Sequence, residues 1–128
     1  QRQMCIRDSC YGLMVNYCLQ VADILAEDGI NVEVVDLRTV YPLDKETIID
    51  RAKKTGKVLL VTEDNLEGSV MSEVSAIIAE NCLFELDAPI MRLAGSDVPS
   101  MPFSPVLENE LMMNPEKIQA KMRELAEF

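Results

Sequence analysis

Asn31–Asp44 reads NVEVVDLRTVYPLD, a run of branched apolar residues that passes through a short turn into a proline and an acidic residue. Val32, Val34, Val35 and Leu37 put apolar side chains on both faces of an extended segment. That pattern suits a strand in a parallel sheet covered by helices better than a strand half-open to water. Pro42 then restricts the backbone, and Asp44 is placed to cap a helix beginning near Lys45 by accepting from a free backbone N–H. The helix is predicted to end at Gly56. Ile48, Ile49 and Ala52 form its inner stripe, and Lys53 and Lys54 sit in its last turn, where positive charge complements the helix dipole.

Upstream, Met14, Cys18, Val21, Ala22 and Leu25 recur at the spacing of one helical face, and Gly29 follows at the C-terminal capping position. No strand is expected before this helix. QRQMCIRDS, residues 1–9, contains MCIRDS, the translation of ATGTGTATAAGAGACAG, a transposon end used to tag sequencing libraries. The expected organisation is therefore a scar at 1–9 and one domain at 10–128 that lacks most of its first strand. A fragment of a longer reading frame is implied, with exposed apolar surface and self-association.

Downstream, Val58–Val61 is a short, wholly apolar run and the clearest central strand. Gly68 and Ser69 open a helix with Val70, Val74, Ile77 and Ile78 at helical spacing. Pro89 introduces a strand at Ile90–Ala94, and Pro99, Pro102 and Pro105 hold the following connector extended. Asn114 and Pro115 start a last helix whose buried face is Ile118, Met122 and Leu125. Alternating strands and helices of this kind predict an α/β fold, a three-layer α/β/α sandwich with a mostly parallel central sheet.

The chain has 128 residues, enough for one domain that buries roughly two thirds of its unfolded surface. A net charge of −10 and the absence of histidine disfavour nucleic acid, whose binding rests on basic residues, and suit either solubility alone or a basic protein partner. No apolar run is long enough to span a bilayer. Cys5, Cys10, Cys18 and Cys82 show neither CxxC spacing nor accompanying histidines, so free thiols in a reducing cytoplasm are expected.

No histidine base, GxSxG elbow, GxGxxG loop or GxxxxGK[ST] cradle is present, so no catalytic set is visible. Glu27-Asp28-Gly29 is better read as a helix end than as a metal-diphosphate motif. Glu63, Asp64 and Glu67 follow the central strand at the carboxyl end, where open parallel sheets place their ligands. They could do acid/base work or hold a cation. The favoured reading has them capping the next helix and facing solvent, with Glu73 one turn further on treated alike. Arg38, after the Val32–Leu37 strand, could clamp a carboxylate or phosphate. An ion pair with Glu63 or Asp64 is favoured, and a docking role for the cluster stays open. Among eight methionines, Met71, Met91 and Met101 read as filler. Met112 and Met113, beside Leu111, are expected at a subunit interface, since three adjacent large apolar residues cannot all point inward.

Together NVEVVDLRTVYPLD, KVLLVTEDN (Lys57–Asn65), SDVPSMPFSP (Ser96–Pro105) and NPEKI (Asn114–Ile118) resemble one family from about Tyr11 to Phe128. It is the transketolase C-terminal-like domain of the β subunit, or β half, of a thiamine-diphosphate-dependent 2-oxo acid dehydrogenase. Such enzymes convert a 2-oxo acid and a lipoyl group to an acyl-dihydrolipoyl group and carbon dioxide. The resemblance implies that thiamine diphosphate and magnesium belong to the parent enzyme, held outside this segment, and that the segment alone binds no cofactor and is inactive. The partners implied are the α subunit or α half, the second β domain, and the basic subunit-binding domain of the acyltransferase core. TEDN stands where HED or HEA is common in the family, so no histidine role carries over to Thr62. Pyruvate and branched-chain 2-oxo acids are both open as substrates, with EDNLEGS closer to the branched-chain loop. The alternatives are a stand-alone interaction module and the C-terminal domain of a transketolase or deoxyxylulose phosphate synthase.

Overall fold

The computed structural model describes residues 5–128. Residues 1–4 of the expected scar lie outside the described residues. Four parallel strands, β1 (Cys5–Cys10), β2 (Asn31–Asp36), β3 (Val58–Asn65) and β4 (Met91–Gly95), form one sheet in the order β2-β1-β3-β4. Between them run α1 (Leu13–Glu27), α2 (Lys45–Thr55) and α3 (Val70–Cys82), and after β4 come α4 (Pro105–Leu111) and α5 (Pro115–Ala126).

Two cores make this a three-layer sandwich. Leu59 and Val61 of β3 pack with the buried stripes of α1 and α5, including Met14, Cys18, Val21, Leu25, Ile118, Met122 and Leu125. Val58 and Leu60 point the other way, onto Ile48 and Ala52 of α2 and Met71, Val74 and Ile78 of α3. The period of two along β3 thus divides one apolar run between two layers. Burying such side chains stabilises by about 1.5–3 kcal/mol each, and β3, fully buried from Val58 to Thr62, is the axis of the fold.

The helix signals act as their chemistry requires. Asp44 accepts from the Thr47 N–H at 3.1 Å, and Gly56 closes α2 in the left-handed conformation at φ 74°. Asn114 accepts from the Lys117 N–H at 2.8 Å, with Pro115 in the first turn of α5.

Three expectations are corrected. A strand does precede α1. Cys5–Cys10 lies inside the sheet, paired with β2 from Cys5↔Asn31 to Cys10↔Asp36 and with β3 from Arg7↔Val58 to Ser9↔Leu60. Its centre is nevertheless polar: Arg7 and Asp8 are 1% and 0% exposed, and Arg7 Nε and Nη1 and both Asp8 oxygens lack hydrogen-bond partners. Backbone pairing takes any sequence, whereas this position between two cores favours apolar side chains. Second, β2 is an edge strand with no fully buried residue, because β1 covers only one of its sides; its valines are half-buried. Third, the proline-rich connector leads into α4, a helix with no buried residue that leaves Val106 and Leu107 exposed. Tyr41, Phe84 and Phe103 are also almost wholly exposed.

Candidate functional site

Strand order reverses between β1 and β3. The chain leaves β1 for α1 on one face of the sheet and leaves β3 for α3 on the other. The two carboxyl ends therefore part, opening the crevice where parallel sheets place their ligands. Here the Tyr11 hydroxyl donates to Asp64 Oδ2 at 2.7 Å and lies 2.9 Å from Thr62 Oγ1. The Asp64 N–H donates to Thr62 Oγ1 at 3.1 Å. Burial, with the Asp64 and Glu63 carboxylates adding to it, pushes the Tyr11 phenol above its ordinary pKa, and the Thr62 contact opposes this in part.

Glycines shape both sides of the crevice. Gly12, at φ 63°, turns the chain from β1 into α1 beside Glu63. Gly95 packs so closely that a Cβ there would come within 2.7 Å of the Glu63 carbonyl oxygen. The register between β3 and β4 shifts between Val61 and Asn65 at this point, turning Glu63, Asp64 and Asn65 outward into solvent.

The segment from Glu63 to Val70, Leu66 apart, lines an open cavity of about 430 Å³. Glu63, Asp64 and Glu67 all face it. None of them caps α3 through its side chain, since the helix begins at Ser69 without a side-chain cap. Next to it, sharing Val70, is an apolar groove of about 490 Å³ lined by Val40, Tyr41, Pro42 and Leu43, with Lys45 and Glu73 at its margin. An acidic cavity thus runs into an apolar groove.

The structure separates other residues that the sequence grouped. Arg38 pairs with Asp36 of its own strand, Nε to Oδ2 at 3.4 Å, and not with Glu63 or Asp64. The reason is topological: β1 lies between β2 and β3, so the ends of those two strands are not neighbours. Arg38 sits at φ 42° with its side chain in solvent. Met112 and Met113 also divide. Met112 is 39% exposed, whereas Met113, at 7%, belongs to the α1/α5 core and is covered by its own chain. Asp28, in the helix-end tripeptide, pairs with Arg123 of α5. Tyr11 and Gly12 were not singled out from the sequence as site residues, and Thr62 was named there only as lacking the family's histidine role. Their signal is positional, since Tyr11-Gly12 and Thr62 end the two strands that flank the reversal, and it becomes readable only with the strand order.

Thiamine diphosphate does not fit these residues. Its diphosphate would meet three carboxylates in the cavity, and no lysine, arginine or histidine lines it. Among the described residues, the group of three acidic or sulfur ligands whose donor atoms come within 4.8 Å is Asp8, Cys10 and Cys18, elsewhere in the fold. What the arrangement can do is take a cationic group beside an apolar one.

The described residues form a parallel α/β/α sandwich with an acidic crevice at its strand-order reversal. Residues 10–118 match the family described as transketolase, C-terminal domain, and the chain belongs to that family. It is 67% identical over 118 residues to 2-oxoisovalerate dehydrogenase subunit beta of Bacillus subtilis, covering 92% of this chain and 36% of that protein. It is 42% identical over 108 residues to the mitochondrial pyruvate dehydrogenase E1 component subunit beta of Dictyostelium discoideum, covering 84% of this chain and 30% of that protein. Against pyruvate dehydrogenase E1 component subunit beta of B. subtilis the identity is 40% over 118 residues, covering 92% and 36%. The chain thus spans about a third of the length of the curated relatives it matches. A split-gene transketolase solved as an inactive β4 tetramer shares the fold, with a TM-score of 0.82 at 21% identity over 98% of this chain and 40% of that one.

Proposed function

We propose that this domain serves the decarboxylating component of a 2-oxo acid dehydrogenase complex of the branched-chain type, joining subunits and docking the acyltransferase core. The observation that carries the reading is the difference between 67% identity to a 2-oxoisovalerate dehydrogenase β subunit and 40–42% to pyruvate dehydrogenase β subunits. The whole enzyme would use thiamine diphosphate and magnesium bound outside this segment. This chain contributes no group to that chemistry, and alone it is expected to be inactive.

Its own contribution is the surface. Glu63, Asp64 and Glu67 offer carboxylates to a small basic domain, and the adjoining groove at Tyr41 and Pro42 offers apolar area that such a contact could bury. The exposed residues of α4, with Met112 beside them, are assigned to contacts with the α subunit or the second β domain. All four cysteines are free, which supports a reducing, cytoplasmic setting. No helix among the described residues is long and apolar enough to cross a membrane.

The test is a chimera. Residues 10–128 replace the matching segment of the B. subtilis 2-oxoisovalerate dehydrogenase β subunit, co-expressed with its α subunit. Assembly, decarboxylation and salt-sensitive binding of the basic subunit-binding domain are expected. A chimera that folds but neither pairs with α nor binds that domain at low salt would sink the proposal. Such an outcome would favour the stand-alone module or a transketolase-type parent.

A further inference from the structure

Away from the crevice, one set of metal-ligating side chains lies in the interior. Asp8 and Cys10 are alternate residues of β1 and so face the same layer, and Cys18 lies on the buried stripe of α1 opposite them. One carboxylate oxygen and the two Sγ atoms lie within 4.8 Å of one another, and all three residues are buried. Asp8 is wholly excluded from water and neither of its oxygens has a hydrogen-bond partner of normal geometry. The Cys18 thiol, a weak donor, offsets that burial only in part.

From these observations we infer that Asp8, Cys10 and Cys18 form a binding site for a thiophilic divalent cation of the zinc and cadmium class. Two sulfurs with one oxygen select such ions over magnesium or calcium, which prefer all-oxygen shells. In a tetrahedral zinc site, with bonds of about 2.3 Å to sulfur and 2.0–2.2 Å to oxygen, neighbouring donor atoms are roughly 3.4–3.8 Å apart. Donor atoms no more than 4.8 Å apart reach that spacing by closing about 1.4 Å at most.

A bound cation would ligate the orphaned carboxylate directly. Two thiolates and a carboxylate leave one negative charge on a divalent ion; Arg7, the next residue of β1, turns to the opposite face of the sheet and pairs with Glu33. Because Asp8 falls within QRQMCIRDS, the site is a property of this chain as it stands, whatever the origin of its first nine residues.

The experiment is a cadmium titration of the full, reduced chain, followed by the thiolate-to-cadmium charge-transfer absorption in the ultraviolet and by thermal unfolding. Expected are stoichiometric absorption, retained in a Cys5→Ser/Cys82→Ser double variant, and a rise in the unfolding temperature. Cys10→Ala and Cys18→Ala should each abolish the band. Asp8→Asn, which removes a buried charge and so should fold at least as well, should weaken binding by about tenfold or more. No band in the unaltered chain would overturn the inference. So would a band lost with Cys5 and Cys82, or Asp8→Asn binding as tightly as the unaltered chain.

Discussion

The Tyr11 hydroxyl donates to Asp64 Oδ2 at 2.7 Å, tying the end of β1 to the end of β3 across 53 residues of sequence. The same oxygen lies against Thr62 Oγ1, so one phenol spans the mouth of the crevice. Tyr11→Phe should keep the ring's packing, remove both contacts and leave Asp64 free to swing into solvent. A loss of about 1 kcal/mol in urea unfolding is expected. Docking of a basic partner should change as well, because the position of the Asp64 carboxylate is no longer held.

Gly95 admits no side chain. A Cβ would approach the Glu63 carbonyl oxygen to 2.7 Å and that of Asp64 to 3.3 Å, and both are backbone atoms of the paired strand that cannot rotate away. Gly95→Ala should force β4 from β3 and cost about 1–3 kcal/mol. Gly29→Ala, where nothing lies within 4 Å, separates the two effects, since its cost at φ 78° comes from backbone conformation alone. Equal losses in the two variants, measured by chemical denaturation, would contradict the crowding argument.

Glu33 bonds to two arginines, Arg7 on the neighbouring strand and Arg51 of α2, the latter at 2.8 Å. Arg7 is 1% exposed and Arg51 is 41% exposed. Removing Glu33 strands a buried guanidinium whose other nitrogens are already without partners, so Glu33→Ala should cost about 3 kcal/mol or more. Arg51→Ala removes a partly solvated partner and should cost under about 1 kcal/mol. A double-mutant cycle between positions 7 and 33 measures the coupling directly.

Asp8 should make stability fall as pH rises. Burial raises its pKa from 3.8 to about 7 in the folded chain, so between those values the folded state binds the proton that the unfolded state releases. The contribution is fully present below about pH 4 and is lost as pH climbs through 7, on the order of 4 kcal/mol in all. Measured in chelator and reductant, Asp8→Val should be the more stable protein at pH 7.5, with the gap narrowing toward pH 4. A pH-independent difference would count against a buried, unpartnered carboxylate.

From sequence the chain disclosed α1, α2, α3 and α5 but not α4, and the helix ends were legible where caps are local. Asp44 with Thr47, Asn114 with Lys117, and Gly56 at positive φ depend on residues within a few positions of one another. Val58–Val61 was legible as the central strand because a wholly apolar run has nowhere else to go. Cys5–Cys10 was not. Its side chains carry no strand signal, and its place in the sheet comes from two rows of backbone hydrogen bonds offered by β2 and β3.

The candidate site divides in the same way. Composition and position marked Glu63, Asp64 and Glu67 at a strand end, and the acidic balance suited either solubility alone or a basic partner. Strand order decided that Arg38 pairs away from them and that Tyr11 reaches them, while the packing of α5 on α1 decided that Met113 turns inward and Met112 stays out. The sequence by itself determined the class of fold, the central strand and four of the helices with most of their ends, since those follow from propensity, period and nearest neighbours. Only the tertiary structure decided which strand ends meet, because the order β2-β1-β3-β4 is set by long-range pairing and packing that no short stretch of residues encodes.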